Sequence, residues 1–311
     1  MRASYGGGVK NPGDSRLLLR HRLREYSRGA RVMRSLILGA VMLPLAGVAV
    51  AACPDVSLMQ NAARGWMAGQ RLPDPLVRTV EEGACAYASF RGVLETELGA
   101  PVGVKVGFTS KPVQERFGVT EPAAGALFAP MLLPDGTRLS LAGSRTPFFE
   151  ADLVVTVGSS AIMHARTREE VAAALKDVRP FIELPDLALQ KDVEPTGPLM
   201  VAYGVTPWRG VLGRGVPMSE LDDPVADLAA LTVNLKLDGK SIGSGSGEML
   251  LGHPLDVVLW LVGQGGYELK PGSVISLGSL GTLHPALPGH RVEADYRIGR
   301  KSMKVGLVLV P

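Results

Sequence analysis

Two acids stand one residue apart in an otherwise apolar run, Pro147-Phe148-Phe149-Glu150-Ala151-Asp152-Leu153-Val154-Val155. If the run is a strand, Glu150 and Asp152 point to the same face, because side chains alternate along a strand. Like charges on one face repel unless a cation lies between them. A third acid follows in a second apolar run, Phe181-Ile182-Glu183-Leu184-Pro185. Three carboxylates with no Cys or His nearby suit a hard cation, Mg²⁺ or Mn²⁺. On spacing alone the same acids also read as a solvated strand face plus an unrelated glutamate. Lys105 lies inside Gly103-Val104-Lys105-Val106-Gly107-Phe108. There it is either a general acid/base or carboxylate-holding group, or a lysine that snorkels to the surface. In Gly243-Ser244-Gly245-Ser246-Gly247-Glu248 the glycines leave backbone amides free to face a ligand, which makes Ser246 and Gly247 candidate substrate contacts. His253, before Pro254, marks a helix start and is either a substrate contact or a structural histidine. No nucleotide-binding loop, zinc spacing or serine-nucleophile elbow is present.

These groups need elements to hold them. Leu58, Ala62, Ala63, Trp66 and Met67 recur at helical spacing, and Pro73 to Pro75 end the pattern. A second helix is predicted over Val80–Leu98, with Ala86, Phe90, Val93 and Leu94 on one face. From Val102 the texture changes to short β-branched or alternating segments: Val102–Phe108, Thr137–Leu141, Ala151–Val157, Leu231–Leu237, Val274–Leu277, Arg291–Tyr296 and Ser302–Val310. Helices are predicted at Arg168–Lys176, capped by Thr167, and at Pro254–Gly263. The pattern is α+β, dominated by antiparallel sheet and with no internal repeat.

The chain has 311 residues, 46% of them hydrophobic and 20% charged, so it can bury a sizeable core. The net charge of +3 is unevenly spread: nine basic residues face two acids in residues 1–52, which leaves the rest mildly acidic. That excludes a nucleic-acid footprint on the folded part. Residues 1–52 read as a basic extension and signal peptide. The apolar run Ser35–Ala52 follows Met33-Arg34 and ends in an Ala49-Val50-Ala51 cleavage pattern. Met33 is an alternative start. The run is short for a membrane span, so no span is expected in the mature form. The expected location is the periplasm. Cys53 and Cys85 are the only cysteines. They read as a disulfide in an oxidising compartment, or Cys53 reads as the lipidated residue of a Val50-Ala51-Ala52-Cys53 lipoprotein-type box.

From about Leu58 to Val310 the sequence resembles the 2-keto-4-pentenoate hydratase / 4-oxalocrotonate decarboxylase branch of the fumarylacetoacetate hydrolase superfamily. The resemblance is carried by GVKVGFTSK (103–111), GALFAPM (125–131), PFFEADLVV (147–155), FIEL (181–184), GSGSGEMLLGHPLDVVLW (243–260) and LGSLG (277–281), in that order. It implies a mixed β-sandwich roll over 101–311, preceded by a helical region over 53–100, and a homo-oligomer. It also implies a metal site at Glu150, Asp152 and Glu183 with Lys105 as the catalytic lysine. The implied activity is that of a metal-dependent hydro-lyase or carboxy-lyase acting on a small unsaturated 2-oxo acid. The sequence departs from the family in three places. Ala123 stands where the hydratases carry an acid. Pro195, Thr196 and Gly197 replace polar substrate contacts. Asp152 stands where Glu is commoner. These departures, together with the export signal, keep two other readings open: a degenerate protein that binds a 2-oxo acid or metal without turnover, and a structural envelope protein.

Overall fold

The computed structural model describes residues 53–311. The export signal, its cleavage pattern and residues 50–52 of the lipoprotein-type box lie outside the described residues. Helix α1 (Val56–Met67) starts at Asp55, whose carboxylate accepts from the Ser57 and Leu58 amides. Its buried face is Met59, Ala62 and Ala63, whereas Leu58, expected inside, is exposed. Helix α2 (Val80–Leu98) opens with a Thr79/Glu82 capping box and stops at Gly99, φ 86°. Cys53 and Cys85 form a disulfide, Cα atoms 5.5 Å apart, that ties the entry of α1 to the second turn of α2.

The remaining elements, in chain order, are β1 (Gly103–Gly107), α3 (Lys111–Phe117), β2 (Ala123–Leu127), β3 (Leu132–Pro134), β4 (Arg138–Ser140), β5 (Phe148–Val157), α4 (Arg168–Ala174), β6 (Leu175–Leu184), α5 (Gly197–Ala202), β7 (Arg209–Leu212), β8 (Val216–Pro217), α6 (Pro224–Ala229), β9 (Thr232–Leu237), β10 (Lys240–Ser246), α7 (Pro254–Gln264), β11 (Val274–Ser279), β12 (His284–Pro285), β13 (Arg291–Ile298) and β14 (Lys301–Val310). A nine-stranded sheet runs β2-β1-β11-β5-β6-β7-β3, with β12 beside β5 and β8 beside β6. A five-stranded sheet runs β10-β9-β13-β14-β4. Pairing is antiparallel except at β1–β11, β3–β7 and β4–β14.

Two sequence expectations shift. The helix expected to reach Lys176 ends at Ala174, because Leu175 onward is recruited as β6, which pairs with β5 from Leu175 to Glu183. The glycine-rich stretch is mostly strand β10, paired with β9 from Lys240 to Ser246. Its glycines serve packing: a side chain at Gly245 would collide with the Leu280 carbonyl.

The main core fills the space between the sheets, with Phe149, Ala151, Leu153, Ile182 and Leu184 on one side and Val292, Ala294 and Leu307 on the other. A second core lies on the opposite face of the nine-stranded sheet, where Val154 and Phe181 meet Met59, Phe90 and Tyr203. Glu150 and Asp152 alternate with the first set and so share a face with Val154, toward the helices. No helix among the described residues is long and apolar enough to cross a membrane.

Candidate active site

Four neighbouring strands carry the groups singled out in the sequence: Lys105 on β1, Glu150 and Asp152 on β5, and Glu183 on β6, with β11 between β1 and β5. Register aligns Glu150 with Glu183, and Lys105 with Ser276. In a flat sheet β1 and β6 would stand about 14 Å apart, too far for Lys and Glu side chains to meet. The sheet curls, and Lys105 Nζ lies 2.5 Å from Glu183 Oε1 with both side chains buried. The ammonium also donates to the Val205 carbonyl at 3.1 Å. That carbonyl belongs to a Gly204-Val205-Thr206 turn in which all three residues have positive φ, 60°, 60° and 52°. Two β-branched residues in this region store strain. The turn fits because Gly125 and Gly107 lack side chains that would strike Gly204 and Val205.

Asp152 is fully buried and tightly held. Its Oδ2 accepts from Ser276 Oγ at 2.6 Å, and its Oδ1 accepts from the Gly278 amide at 3.0 Å and the Leu153 amide at 2.5 Å. Burial, then the charge of Glu183, push Asp152 up to about 7. The same two causes push Glu150 up to about 8, partly opposed by Lys105. Burial pulls Lys105 down, but Glu183, Glu150 and Asp152 outweigh it and hold the ammonium charged above the ordinary lysine value. The charged groups acting on Lys105 are these three carboxylates. Ala123, where an acid was expected, is buried in an apolar cluster with Phe108 and Val205.

The donor set is all oxygen, and Glu183 Oε2 is buried without a hydrogen-bond partner. An orphaned carboxylate oxygen beside two mutually repelling carboxylates fits a hard dication in charge and chemistry. The acids are not closed around one point: no group of three metal-ligating side chains among the described residues is gathered to hold an ion. Lys105 supplies the one counter-charge on Glu183, and Asp152 is occupied by its three donors.

The other candidates lie elsewhere. His253 caps α7: its Nδ1 accepts from the Leu255 amide at 3.0 Å and its Nε2 is 3.0 Å from the Val225 carbonyl. Both ring nitrogens are used within the fold, which makes His253 structural rather than substrate-binding. Gly247 packs on the Leu228 carbonyl and its amide donates to the Leu231 carbonyl, so its missing side chain serves the chain's own packing. Ser246 ends β10 opposite Thr232, in the other sheet. Thr196 caps α5 through its hydroxyl, and Gly197 packs on Phe117 and Val119.

Sequence reasoning missed Ser276 and Tyr296. A lone serine in the apolar run Val274–Leu277 was a readable sign of a buried polar partner. Tyr296 gave no such sign. It crosses from the second sheet, and its hydroxyl lies 2.7 Å from the Asp152 carbonyl and 2.9 Å from the Phe181 carbonyl. These two residues pair across β5 and β6, so Tyr296 fixes both acid-bearing strands. Tyr296→Phe is expected to cost about 1–2 kcal/mol in urea denaturation, the value of a buried hydrogen bond whose acceptors lose their donor.

The fumarylacetoacetate (FAA) hydrolase C-terminal family matches residues 96–305. A 2-hydroxyhexa-2,4-dienoate hydratase from Comamonas testosteroni is 34% identical over 200 residues, 62% of this chain and 73% of the relative. A 2-keto-4-pentenoate hydratase from Burkholderia vietnamiensis is 31% identical over 186 residues, 58% of this chain and 69% of the relative. The 4-oxalocrotonate decarboxylase from Pseudomonas putida G7, solved with magnesium and adipate, superposes with a TM-score of 0.71 at 22% identity, over 82% of this chain and 97% of that one. The arrangement of Lys105 and three acids on one curled sheet thus sits on a shared fold, and the chain belongs to the fumarylacetoacetate hydrolase superfamily, in its 2-keto-4-pentenoate hydratase / 4-oxalocrotonate decarboxylase branch.

Proposed function

We propose that the chain is an exported lyase acting on a small unsaturated 2-oxo acid, by hydration or decarboxylation, with Mg²⁺ or Mn²⁺ held by Glu150, Asp152 and Glu183. The observation that carries the reading is the buried Lys105 ammonium 2.5 Å from Glu183, with the charges of Glu150 and Asp152 also acting on it. The hydratase relatives supply the reaction class. When bound, the cation polarises the 2-oxo group and steadies negative charge on it. Lys105 Nζ, fixed by Val205 and Glu183, holds a proton and a positive charge where an enolate develops. Tyr296 and Ser276 hold the acids in place, and the apolar surroundings exclude water that would weaken each interaction.

Export is supported by the signal-like N-terminus and by the pairing of the only two cysteines as a disulfide. That pairing uses the Cys53 sulfur, which favours a soluble periplasmic form over a lipid anchor. Homo-oligomerisation belongs to the same proposal.

A second reading is favoured by Ala123. With an apolar residue buried in the place of the expected acid, water addition lacks one proton carrier, and the protein would bind its 2-oxo acid without turnover. The experiment is turnover of 2-hydroxypenta-2,4-dienoate and of a 2-oxo-3-enedioate with Mg²⁺, for the wild type and Glu150→Gln. Product formation abolished by chelation and by the substitution supports a lyase. Binding of oxalate by calorimetry with no product from either compound supports the binding protein. Turnover untouched by chelation and by the substitution would overturn the metal-dependent mechanism.

A further inference from the structure

Beyond the acid pair, β5 and β6 run on in the same register: Glu150 faces Glu183, and three residues further out Pro147 faces Asp186. This end of the ladder is weak on two counts. Like charges stand directly opposite each other at Glu150 and Glu183, which disfavours the pairing. Pro185 has no amide, so the Phe148–Pro185 pair keeps one bond of two, from the Phe148 amide to the Pro185 carbonyl at 2.9 Å. At the next paired position the Leu187 amide donates to the Thr146 carbonyl at 3.0 Å, but the Thr146 amide turns to the side chain of Asp186.

Asp186 makes good the loss. Its carboxylate is wholly buried. Oδ1 accepts from the Thr146 amide at 2.6 Å and the Arg145 amide at 3.1 Å; Oδ2 lies 3.0 Å from the Arg145 amide and 3.5 Å from the Arg145 guanidinium. That guanidinium donates on to the Trp66 carbonyl at the end of α1. Arg71 ties the Thr146 hydroxyl, at 3.1 Å, to the Leu189 carbonyl, at 2.8 Å. The Asp186 amide donates to the Thr206 carbonyl at 3.3 Å, next to Val205, whose own carbonyl receives Lys105. One residue thus grips the ends of both acid-bearing strands and the turn that holds the lysine. Several amides converging on one buried carboxylate make a strong and directional tether.

We propose that Asp186 is a positioning residue for the acid cluster. It holds the end of the β5–β6 ladder closed against the repulsion of Glu150 and Glu183, seats the Val205 carbonyl against Lys105, and so sets the affinity of the cluster for a divalent cation. The inference rests on the reading of Glu150, Asp152 and Glu183 as the cation site. It gives Asp186 no contact with cation or substrate and no part in bond making.

The test is calorimetric titration with Mg²⁺ alone at pH 8.5, for wild type, Asp186→Asn, Asp186→Ala and Leu309→Ala. Leu309 is fully buried on β14, and its truncation lowers stability without removing a hydrogen bond of Asp186. Asp186→Asn keeps one acceptor oxygen and is expected to weaken Mg²⁺ binding about tenfold, within the range for residues that orient metal ligands. Asp186→Ala is expected to weaken it further, and Leu309→Ala to bind as wild type does. A role confined to folding would lower the urea midpoint of the Asp186 variants and leave the affinity of their folded molecules unchanged, and that result would overturn the proposal. A second measurement needs no variant to fold. By linkage, Mg²⁺ tightens the clasp by the factor that the clasp tightens Mg²⁺. Hydrogen exchange at the Arg145 and Thr146 amides is therefore expected to slow about tenfold at saturating Mg²⁺. The Gly306 amide, held in the same way by the Asp135 carboxylate at 2.8 Å but in the other sheet, is expected to keep its rate. Exchange at Arg145 and Thr146 that ignores bound Mg²⁺ would overturn the positioning role and leave the acid-cluster reading intact. If wild type binds no Mg²⁺, the acid-cluster reading itself fails and the positioning role falls with it.

Discussion

Lys105→Met is expected to abolish turnover and, in the absence of metal, to lower the unfolding free energy by about 3–5 kcal/mol, the cost of removing one partner from a buried ion pair. Both side chains are almost wholly inaccessible, 5% and 3% exposed, so water screens the pair little. Methionine roughly fills the volume of the aliphatic stem and leaves Glu183 facing Glu150 and Asp152 with no opposing charge. Glu183 Oε2 already lacks a partner, so nothing in the fold takes over from the ammonium. The double variant Lys105→Met/Glu183→Gln removes both charges and is expected to recover most of the stability. It is not expected to recover activity, because the proton on Nζ is gone; a loss of at least about 10²-fold follows for a general acid. Urea denaturation of the three proteins separates the electrostatic effect from the chemical one. A single variant as stable as wild type would mean that the pair does not hold charge in the folded state.

The second large effect is on pH dependence. Burial and mutual repulsion place Asp152 at about 7 and Glu150 at about 8, whereas unfolded carboxylates titrate at about 4. Between those values the folded chain binds more protons than the unfolded chain, so stability falls as pH rises. With a chelator present, the penalty is absent below about pH 4, grows through about pH 8 and then levels off, reaching several kcal/mol for the two groups together. A dication binds the deprotonated acids, so Mg²⁺ is expected to raise the melting temperature strongly at pH 8.5 and little at pH 5. Glu150→Gln should flatten the chelated profile at its alkaline end. Thermal melts across pH 4 to 9, with and without Mg²⁺, provide the measurement. A flat chelated profile in the wild type would show that the acids are not crowded together.

The structure bears on the alternative of a fold kept only as an envelope scaffold. A scaffold has no use for a buried Lys105–Glu183 pair with Asp152 buried and Glu150 half-buried on the strand alongside, since each buried charge costs stability unless paired. The strained Val205–Thr206 turn points the same way, because β-branched residues with positive φ persist where surrounding packing enforces them.

Local pattern determined a good deal about this protein. The one-residue alternation of Glu150 and Asp152 fixed their common face, since a strand's side chains repeat every two residues. The Thr79 and Thr167 capping signals set where α2 and α4 begin, because an N-cap is chemistry within four residues. The order and spacing of the six matching segments, from GVKVGFTSK to LGSLG, were enough to identify the branch. Other features came only from distant contacts. The end of α4 is decided by β5, which recruits Leu175 onward, and β10 is a strand because β9 lies beside it. His253 read from sequence as either a substrate contact or a structural histidine, and only the capped helix and the Val225 carbonyl account for both its nitrogens. Tyr296 reaches Asp152 across 144 residues of chain, a separation that no window of sequence spans. The meeting of Lys105 with Glu183 depends on the curl of a sheet, a property of all its strands together. Hydrophobic period and capping are set by neighbours in the chain, whereas sheet curvature and buried charge pairing are set by neighbours in space.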